Sequence, residues 1–458
     1  MLNDSSLRST WSHAHKEPLW LDTPVRPPAR PALDTDTETD LVVVGGGFTG
    51  LWTALMAKER QPDRTVLLLE GDRIGSAATG RNGGFCSASL THGEDNGRQR
   101  FPDEYDQLQR LGMENLREIA ETVSRYGIDC DYTQSGELHV ATRPHELAAF
   151  DTTSEHFLDG AALREQVNSP TYLGGTWERD ETAMVDPARL AWGLAAAAEK
   201  AGVRIAEMTA ATRMRRRGDH IELSTSGGTV RASHVALATN VFPSLLRRIR
   251  LHTVPVYDYV LATEPLSDEQ LDSIGWKNRQ GVGDSGNLFH YYRLTADNRI
   301  LWGGYDAIYH FGRRMRPEYE QRDETHHVLA RHFFETFPQL EGLTFSHRWG
   351  GVIDTCTRFF AFFGTAKRGR VAYATGYTGL GVGAARFGAN VMLDLLSGEE
   401  TERPRLHMVR TRPLPFPPEP LAFIGIQLTR WSLARADRSG RRNLWLRTLD
   451  RLGLGFDS

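Results

Sequence analysis

Cysteine is scarce: Cys86, Cys130 and Cys356 are the three in the chain, far apart and with no CxxC pair. That spacing excludes a cysteine-built zinc site and a disulfide framework, and it suits a reducing compartment. No apolar run approaches the ~20 residues of a membrane-crossing helix. The start, MLNDSSLRSTWSHAHKEPLW, lacks the apolar core of a signal peptide. A cytoplasmic protein without a transmembrane segment is therefore expected. Neither sign of charge dominates, since 54 Lys+Arg against 58 Asp+Glu leave a formal net charge of -4. The balance gives no general attraction for polyanions, so nucleic acid is not expected as a partner. Tandem repeats and metal-ligand clusters are likewise lacking.

What is present is the composition of a folded protein, with 40% hydrophobic and 24% charged residues, far from the signature of disorder. At 458 residues the chain fits one large two-part unit or two domains. Residues 1–39, with Pro18, Pro24, Pro27, Pro28 and Pro31 before LDTDTETD, read as an extended arm. Order begins at LVVV, residues 41–44, a buried parallel strand. Helix-like FTGLWTALMAKER and strand-like TVLLLE complete a βαβ unit.

Downstream, ARLAWGLAAAAEKAG reads as a helix closed by Gly202, and VRIAEM and ASHVALATN read as strands. Between about 251 and 349 the texture changes to VPVYDYVLATE, NLFHYYRL and RILWGGY, which predict an antiparallel sheet. Parallel patterning returns with RVAYATG and AARFGANVMLDLLSG. The expected architecture is α/β (α+β overall): a Rossmann-type nucleotide-binding domain from 40–95, 158–250 and 350–400. An inserted antiparallel-sheet substrate domain takes 96–157 and 251–349, and 401–458 forms a helical tail.

Gly45, Gly47 and Gly50 form GxGxxG between a strand and a helix, the context in which the motif binds a dinucleotide. The first glycine permits the turn, the second lets backbone approach a pyrophosphate, and the third lets helix and strand pack closely. The helix amino terminus offers free N–H groups and a favourable dipole to the phosphates. Glu70 ends the second strand, where its carboxylate suits ribose hydroxyls and repels an NADP phosphate.

GSAATGRNGGF (75–85) and GYTGLGVGAARFGANVMLDLLSG (376–398) resemble the D-amino acid oxidase superfamily of flavoproteins. YYRLTADNRILWGG, TFPQLEGLTFSHRWGG and GRNGG look most like its gamma-glutamylputrescine oxidoreductase branch. The resemblance, over residues 38–400, implies FAD held by Gly45, Gly47, Phe48, Thr49, Gly50, Glu70, Arg81, Asn82, Gly83, Gly84, Gly376, Gly379, Leu380, Gly381 and Val382. It also places Ala211, Ala238, Thr239 and Asn240 at the adenosine half. Backbone N–H groups of the GLGVG turn would face the flavin edge that gains negative charge on reduction.

Three departures from the family pattern narrow the chemistry. The arginine that binds an α-carboxylate in amino acid oxidases falls on Ile353, counted back from Gly364, although Arg358 lies nearby. The cysteine that joins flavin covalently in monomeric sarcosine oxidases falls on Gly350, which implies non-covalent FAD. The lysine that assists oxygen reduction has no counterpart in RILWGGYD, so dioxygen and another electron acceptor both stay open.

No second dinucleotide motif follows a strand, so electrons enter from the substrate. The expected reaction is oxidation of a small primary or secondary amine to an imine by hydride transfer to flavin, then hydrolysis; an acylated polyamine is one candidate. An amino acid oxidase or N-demethylase is the enzyme alternative, and a non-catalytic flavin-binding regulatory protein the alternative of another class. Amine positioning needs aromatic faces near the flavin. Tyr291, His290, Tyr259 and Trp349 are the substrate-side candidates, from a cluster with Tyr257, Tyr292 and Trp302. Strand alternation places His290 and Tyr292 on one face and Tyr291 and Arg293 on the other, and the resemblance favours Tyr291 for the pocket. His92 follows the GRNGG loop. Arg213, Arg215, Arg216 and Arg217 read as a solvated hairpin tip. The tail from Leu421, with Trp445, Leu449 and Leu452 on one side, suits packing on the parent domain, on another copy of the chain or on a membrane surface.

Overall fold

The computed structural model describes residues 3–454. Its first sheet runs in the order Phe362–Ala366, Val371–Thr375, Thr229–Leu237, Thr37–Val44, Val66–Leu69, Val203–Ala206, with the hairpin Ala211–Arg217/His220–Thr225 paired onto Thr229–Leu237. The central pairings are parallel: Leu41–Val44 lies in register with Val66–Leu69 on one side and with His234–Leu237 on the other. The LVVV run is continuously apolar because both faces of its strand are buried. Leu41 and Val43 pack under the helices, whereas Val42 and Val44 pack in a separate core on the opposite face.

Helices Phe48–Arg60, Pro187–Lys200 and Gly381–Ser397 cover the first face. Asp186 starts the second of these, its side chain accepting from Ala188 and Arg189 N–H, with Pro187 in the first turn, where no N–H is missed. The arginine-rich strand ends in a hairpin turn at Gly218 with its guanidinium side chains largely in solvent.

A nine-stranded second sheet has the order Ile308–Tyr309, Thr253–Thr263, Ile300–Gly304, His290–Leu294, Gly281–Asp284, Glu137–Ala141, Gly174–Glu178, Phe157–Asp159. Phe345–Cys356 pairs along the whole of Thr253–Thr263. The sheet is antiparallel except where Gly281–Asp284 runs parallel to Glu137–Ala141, so it is mixed rather than purely antiparallel. Helix Asp323–Thr336 packs on its outer face through Leu329, Ala330 and Phe333 against Tyr259, Leu261 and Trp302.

Several expected boundaries move. Gly174–Glu178 pairs with Glu137–Ala141, and Phe157–Asp159 pairs with Gly174–Glu178, so the second sheet continues to residue 178 rather than ending at 157. One unbroken strand crosses the boundary expected at 350 and ends at Cys356. The amino-terminal arm is not wholly extended: Asn3 caps the short helix Asp4–Ser9. Leu7 and Trp11 are buried in the second core, while Trp20 and Leu21 are buried in the first, so the arm straps the two together. The tail is helical at Leu421–Ser439 and Leu444–Arg451, but residues 411–418 form neither helix nor strand. Among the described residues no helix is long and apolar enough to cross a membrane.

Trp11 is 1% exposed, and Arg348 lies over its ring at 5.1 Å. Trp11→Ala is expected to lower unfolding stability by about 3–5 kcal/mol, as for other large-to-small changes of a buried aromatic. A shift of the urea midpoint measures it, and an unchanged midpoint would show that the strap contributes nothing.

Candidate active site

The strand–turn–helix at Gly45–Gly50 is set by close backbone approach. Gly45 has φ +113°, and a Cβ there would lie 2.3 Å from Ala238 O; a Cβ on Gly50 would lie 1.8 Å from Gly45 O. Neither position tolerates a side chain, so the first turn of Phe48–Arg60 is held against the strand ends with its N–H groups facing outward. Glu70 sits beside it. Its carboxylate accepts from Gly46 N at 2.5 Å and Asp72 N at 2.8 Å, and burial raises its pKa. Free lone pairs remain on both oxygens for ribose hydroxyls.

These groups open onto a cleft of about 2070 Å³ between the two sheets, larger than the roughly 300–1,000 Å³ of an ordinary small-molecule pocket. Gly45, Gly47, Phe48, Thr49, Glu70, Arg81, Asn82, Gly83, Ala211, Ala238, Thr239, Asn240, Gly379, Leu380, Gly381 and Val382 all line it. Gly50, Gly84 and Gly376 stand behind the lining. A Cβ on Gly84 would meet Val185 O at 2.1 Å, and Gly376 N donates to the Asp354 carboxylate. These three shape the turns rather than face the cleft.

The GRNGG loop joins the two sheets. Asn82 Nδ2 donates to Ala78 O and Thr79 O, and its Oδ1 accepts from Gly84 N at 2.9 Å, which fixes the loop. Arg81 is held by Glu320 at 2.7 Å and Gly350 O at 3.1 Å. The Tyr291 ring fills the space that side chains on Gly83 and Gly303 would take, with Cβ positions 2.7 Å and 2.6 Å from ring atoms. Arg293, on the same strand face, donates to Gly84 O and Val185 O.

Tyr291 lines the cleft and donates its hydroxyl to Asp258 Oδ2 at 2.6 Å. The other three substrate-side candidates lie outside it. His290 is buried between Asp284 (2.6 Å) and His332 (3.0 Å) and stacks on Tyr305. Tyr259 turns to the helix face and donates to Tyr319 O, because alternation sends Asp258, not Tyr259, inward. Trp349 is fully buried and donates its indole N–H to Arg81 O at 2.9 Å.

Asp258 and Asp354 were not singled out from sequence, where a carboxylate in a strand reads as solvent-facing. Both line the cleft, and burial pushes each up to about 6. The signal for Asp258 lay in VYDYV, whose inward position is the carboxylate between two tyrosines. His92 lines the cleft beside the glycine segment, its Nε2 3.0 Å from Thr378 O, and burial lowers its pKa so that the ring is neutral.

Helix Gly381–Ser397 starts at Leu380 without a capping side chain, as Phe48–Arg60 starts at Gly47. Two helix amino termini thus face one cleft, each electropositive and with N–H groups to offer. A parallel sheet, a ribose-facing carboxylate at a strand end and a second sheet closing the cleft define a dinucleotide-binding oxidoreductase. The chain belongs to the DAO family of FAD dependent oxidoreductases, whose family model matches residues 40–395.

The chain is 32% identical over 384 residues to gamma-glutamylputrescine oxidoreductase of Escherichia coli K12, covering 80% of this chain and 85% of that one. It is 28% identical to the probable oxidoreductase OrdL of Haemophilus influenzae, over 81% and 85% of the two chains. In fold it is similar to glycine oxidase from Geobacillus kaustophilus (TM-score 0.65, 19% identity, 80% of this chain and 96% of that chain). L-Proline dehydrogenase from P. horikoshii follows at TM-score 0.63 and 20% identity, over 82% and 96%.

The residues fit FAD: the glycine turn leaves room for a pyrophosphate, Glu70 keeps lone pairs for a ribose, and the cleft volume exceeds a single small ligand. Glu70→Ala is expected to weaken FAD binding on the order of 10–100-fold through lost charge-assisted hydrogen bonds. Titrating apoprotein with FAD and following quenching of flavin fluorescence measures this, and unchanged affinity would take Glu70 out of the site.

Proposed function

We propose that this chain oxidises a small primary or secondary amine that carries no carboxylate on the carbon to be oxidised. The observation that carries this reading is the charge of the substrate flank. Asp95, Glu137, Asp151, Glu178 and Glu181 line it, with Glu94 paired to Arg98 beside them. An acidic flank attracts an ammonium and repels a carboxylate. Of the arginines that line the cleft, Arg430 pairs with Asp306, Arg81 with Glu320 and Arg73 with Glu207, and Arg250 donates to Ser244 O. Ile353 lines the cleft where the family resemblance calls for a carboxylate-binding arginine, and Arg358 turns away, its guanidinium donating to the Ala361, Met408 and Thr411 carbonyls. The likeness to gamma-glutamylputrescine oxidoreductase supports an amine in the same direction.

FAD, when bound, supplies the two-electron acceptor for oxidation of the amine to an imine, which water then hydrolyses. The chain's own residues bind and orient. Tyr291 presents its ring to the cleft, and its hydroxyl is fixed on Asp258, which gives the ammonium a counter-charge. His92 holds its Nε2–H on Thr378 O and so fixes the glycine segment beside the flavin site. All three thiols are buried and none lines the cleft, which supports non-covalent FAD. Acid precipitation should therefore leave all yellow colour in the supernatant; colour retained in the pellet would contradict it.

Anaerobic mixing with a panel of amines and the matching α-amino acids tests the reading. Amines are expected to bleach the oxidised flavin band with kcat/KM at least 100-fold above their α-amino acid counterparts, and Ile353→Arg to narrow that gap. Colour that persists with every amine, or faster bleaching by amino acids, would overturn the proposal. Peroxide assayed in air tells dioxygen from another acceptor.

Because Asp258 titrates at about 6, kcat/KM for the amine should fall about tenfold per pH unit below that value, as the counter-charge is neutralised. Asp258→Asn should remove this limb. A limb that persists in the variant would assign it to Asp354.

A further inference from the structure

The two tail helices lie outside the matched family region 40–395, yet they form part of the cleft wall. Leu421, Ile424 and Leu428 recur at helical spacing along Leu421–Ser439, and Trp445, Leu449 and Leu452 along Leu444–Arg451. Both stripes face the same cleft as Tyr291 and Asp258. The hairpin is fixed to the cleft rim. Arg430 pairs with Asp306 at 2.5 Å, Asp437 accepts from Asn287 N at 2.8 Å and Leu288 N at 3.0 Å, and Trp445 Nε1 donates to Thr429 Oγ1 at 3.0 Å. It also carries a small core of its own, Leu433, Ala436 and Leu446.

That core leaves part of the stripe uncovered. Leu421 is 61% exposed, Ile424 57% and Leu452 61%, although all three line the cleft. Large apolar side chains grouped and unburied mark a binding surface. We infer that this hairpin is an apolar subsite for an alkyl or aryl substituent of the substrate amine. The occupant follows from continuity, since the apolar wall and the acidic flank bound one space. An amphiphilic amine satisfies both, its ammonium held near Asp258 and its apolar arm laid along Leu421, Ile424 and Leu428.

The inference rests on the amine reading, and the test separates the two. Full-length holoenzyme is assayed with propylamine to octylamine. kcat/KM is expected to rise by about fourfold per methylene, the equivalent of burying one CH2, until the arm outgrows the wall. In Ile424→Asp and Leu428→Asp the octylamine-to-propylamine ratio should fall at least tenfold. Leu444→Asp, exposed and outside the cleft lining, should leave that ratio as it is.

A native enzyme without length dependence, or variants with an unchanged ratio, would overturn the subsite while leaving amine oxidation standing. So would an Ile424→Asp variant that alters only gel-filtration volume or sedimentation with anionic phospholipid vesicles, since the stripe would then serve a second copy or a membrane. If no amine is oxidised, perturbation of the flavin spectrum by propanol to octanol decides. Length-dependent binding lost in Ile424→Asp keeps the subsite and removes the amine reading, and binding without length dependence removes both.

Discussion

The close approach of the GRNGG loop to the strand His290–Leu294 is the constraint on which the site depends. The Tyr291 ring fits only because Gly83 and Gly303 have no side chains, and Arg293 fixes the same seam through the Gly84 and Val185 carbonyls. Trp349 and Trp20 reinforce it by donating to Arg81 O and Asn82 O. Four sites within one loop, the Gly83 face and the Arg81, Asn82 and Gly84 carbonyls, thus hold two sheets at a fixed separation. The separation makes the cleft, and the cleft makes the chemistry.

Within that frame the electrostatics divide. At the nucleotide end, two helix amino termini supply positive ends without a charged side chain, which suits anionic groups. At the proposed substrate end the lining is acidic, and the guanidinium groups of Arg81 and Arg430 are paired with carboxylates. On the proposed amine reading, such a site places an anionic cofactor and a cationic substrate in electrostatically distinct parts of one cleft. Burial of Asp258 raises its pKa into a range where protonation responds to modest acidification.

The amino-terminal arm and the carboxy-terminal tail lie outside the matched family region. The arm drives Trp11 into the second core and Trp20 under the first, so it stiffens the frame. The tail instead leaves apolar surface open toward the cleft. One end of the chain therefore contributes stability and the other a wall.

Local sequence determined the parts whose physics is local. GxGxxG between LVVV and a helix, with Glu70 one strand on, specifies a nucleotide turn because each glycine answers a steric demand within a few residues. The GRNGG and GLGVG segments were legible through the family resemblance, which also chose Tyr291 once alternation had set it on the face opposite His290. Tertiary structure decided the rest. His290, Tyr259 and Trp349 are aromatic residues on the right strands, but which face of a strand meets the cleft depends on what packs behind it, here helix Asp323–Thr336 and Arg81. Asp258 and Asp354 acquire their roles only through burial, and burial is a property of distant residues folded over them. The strand crossing residue 350 and the strand near 176 belong to the second sheet because their partners, more than thirty residues away, lie there.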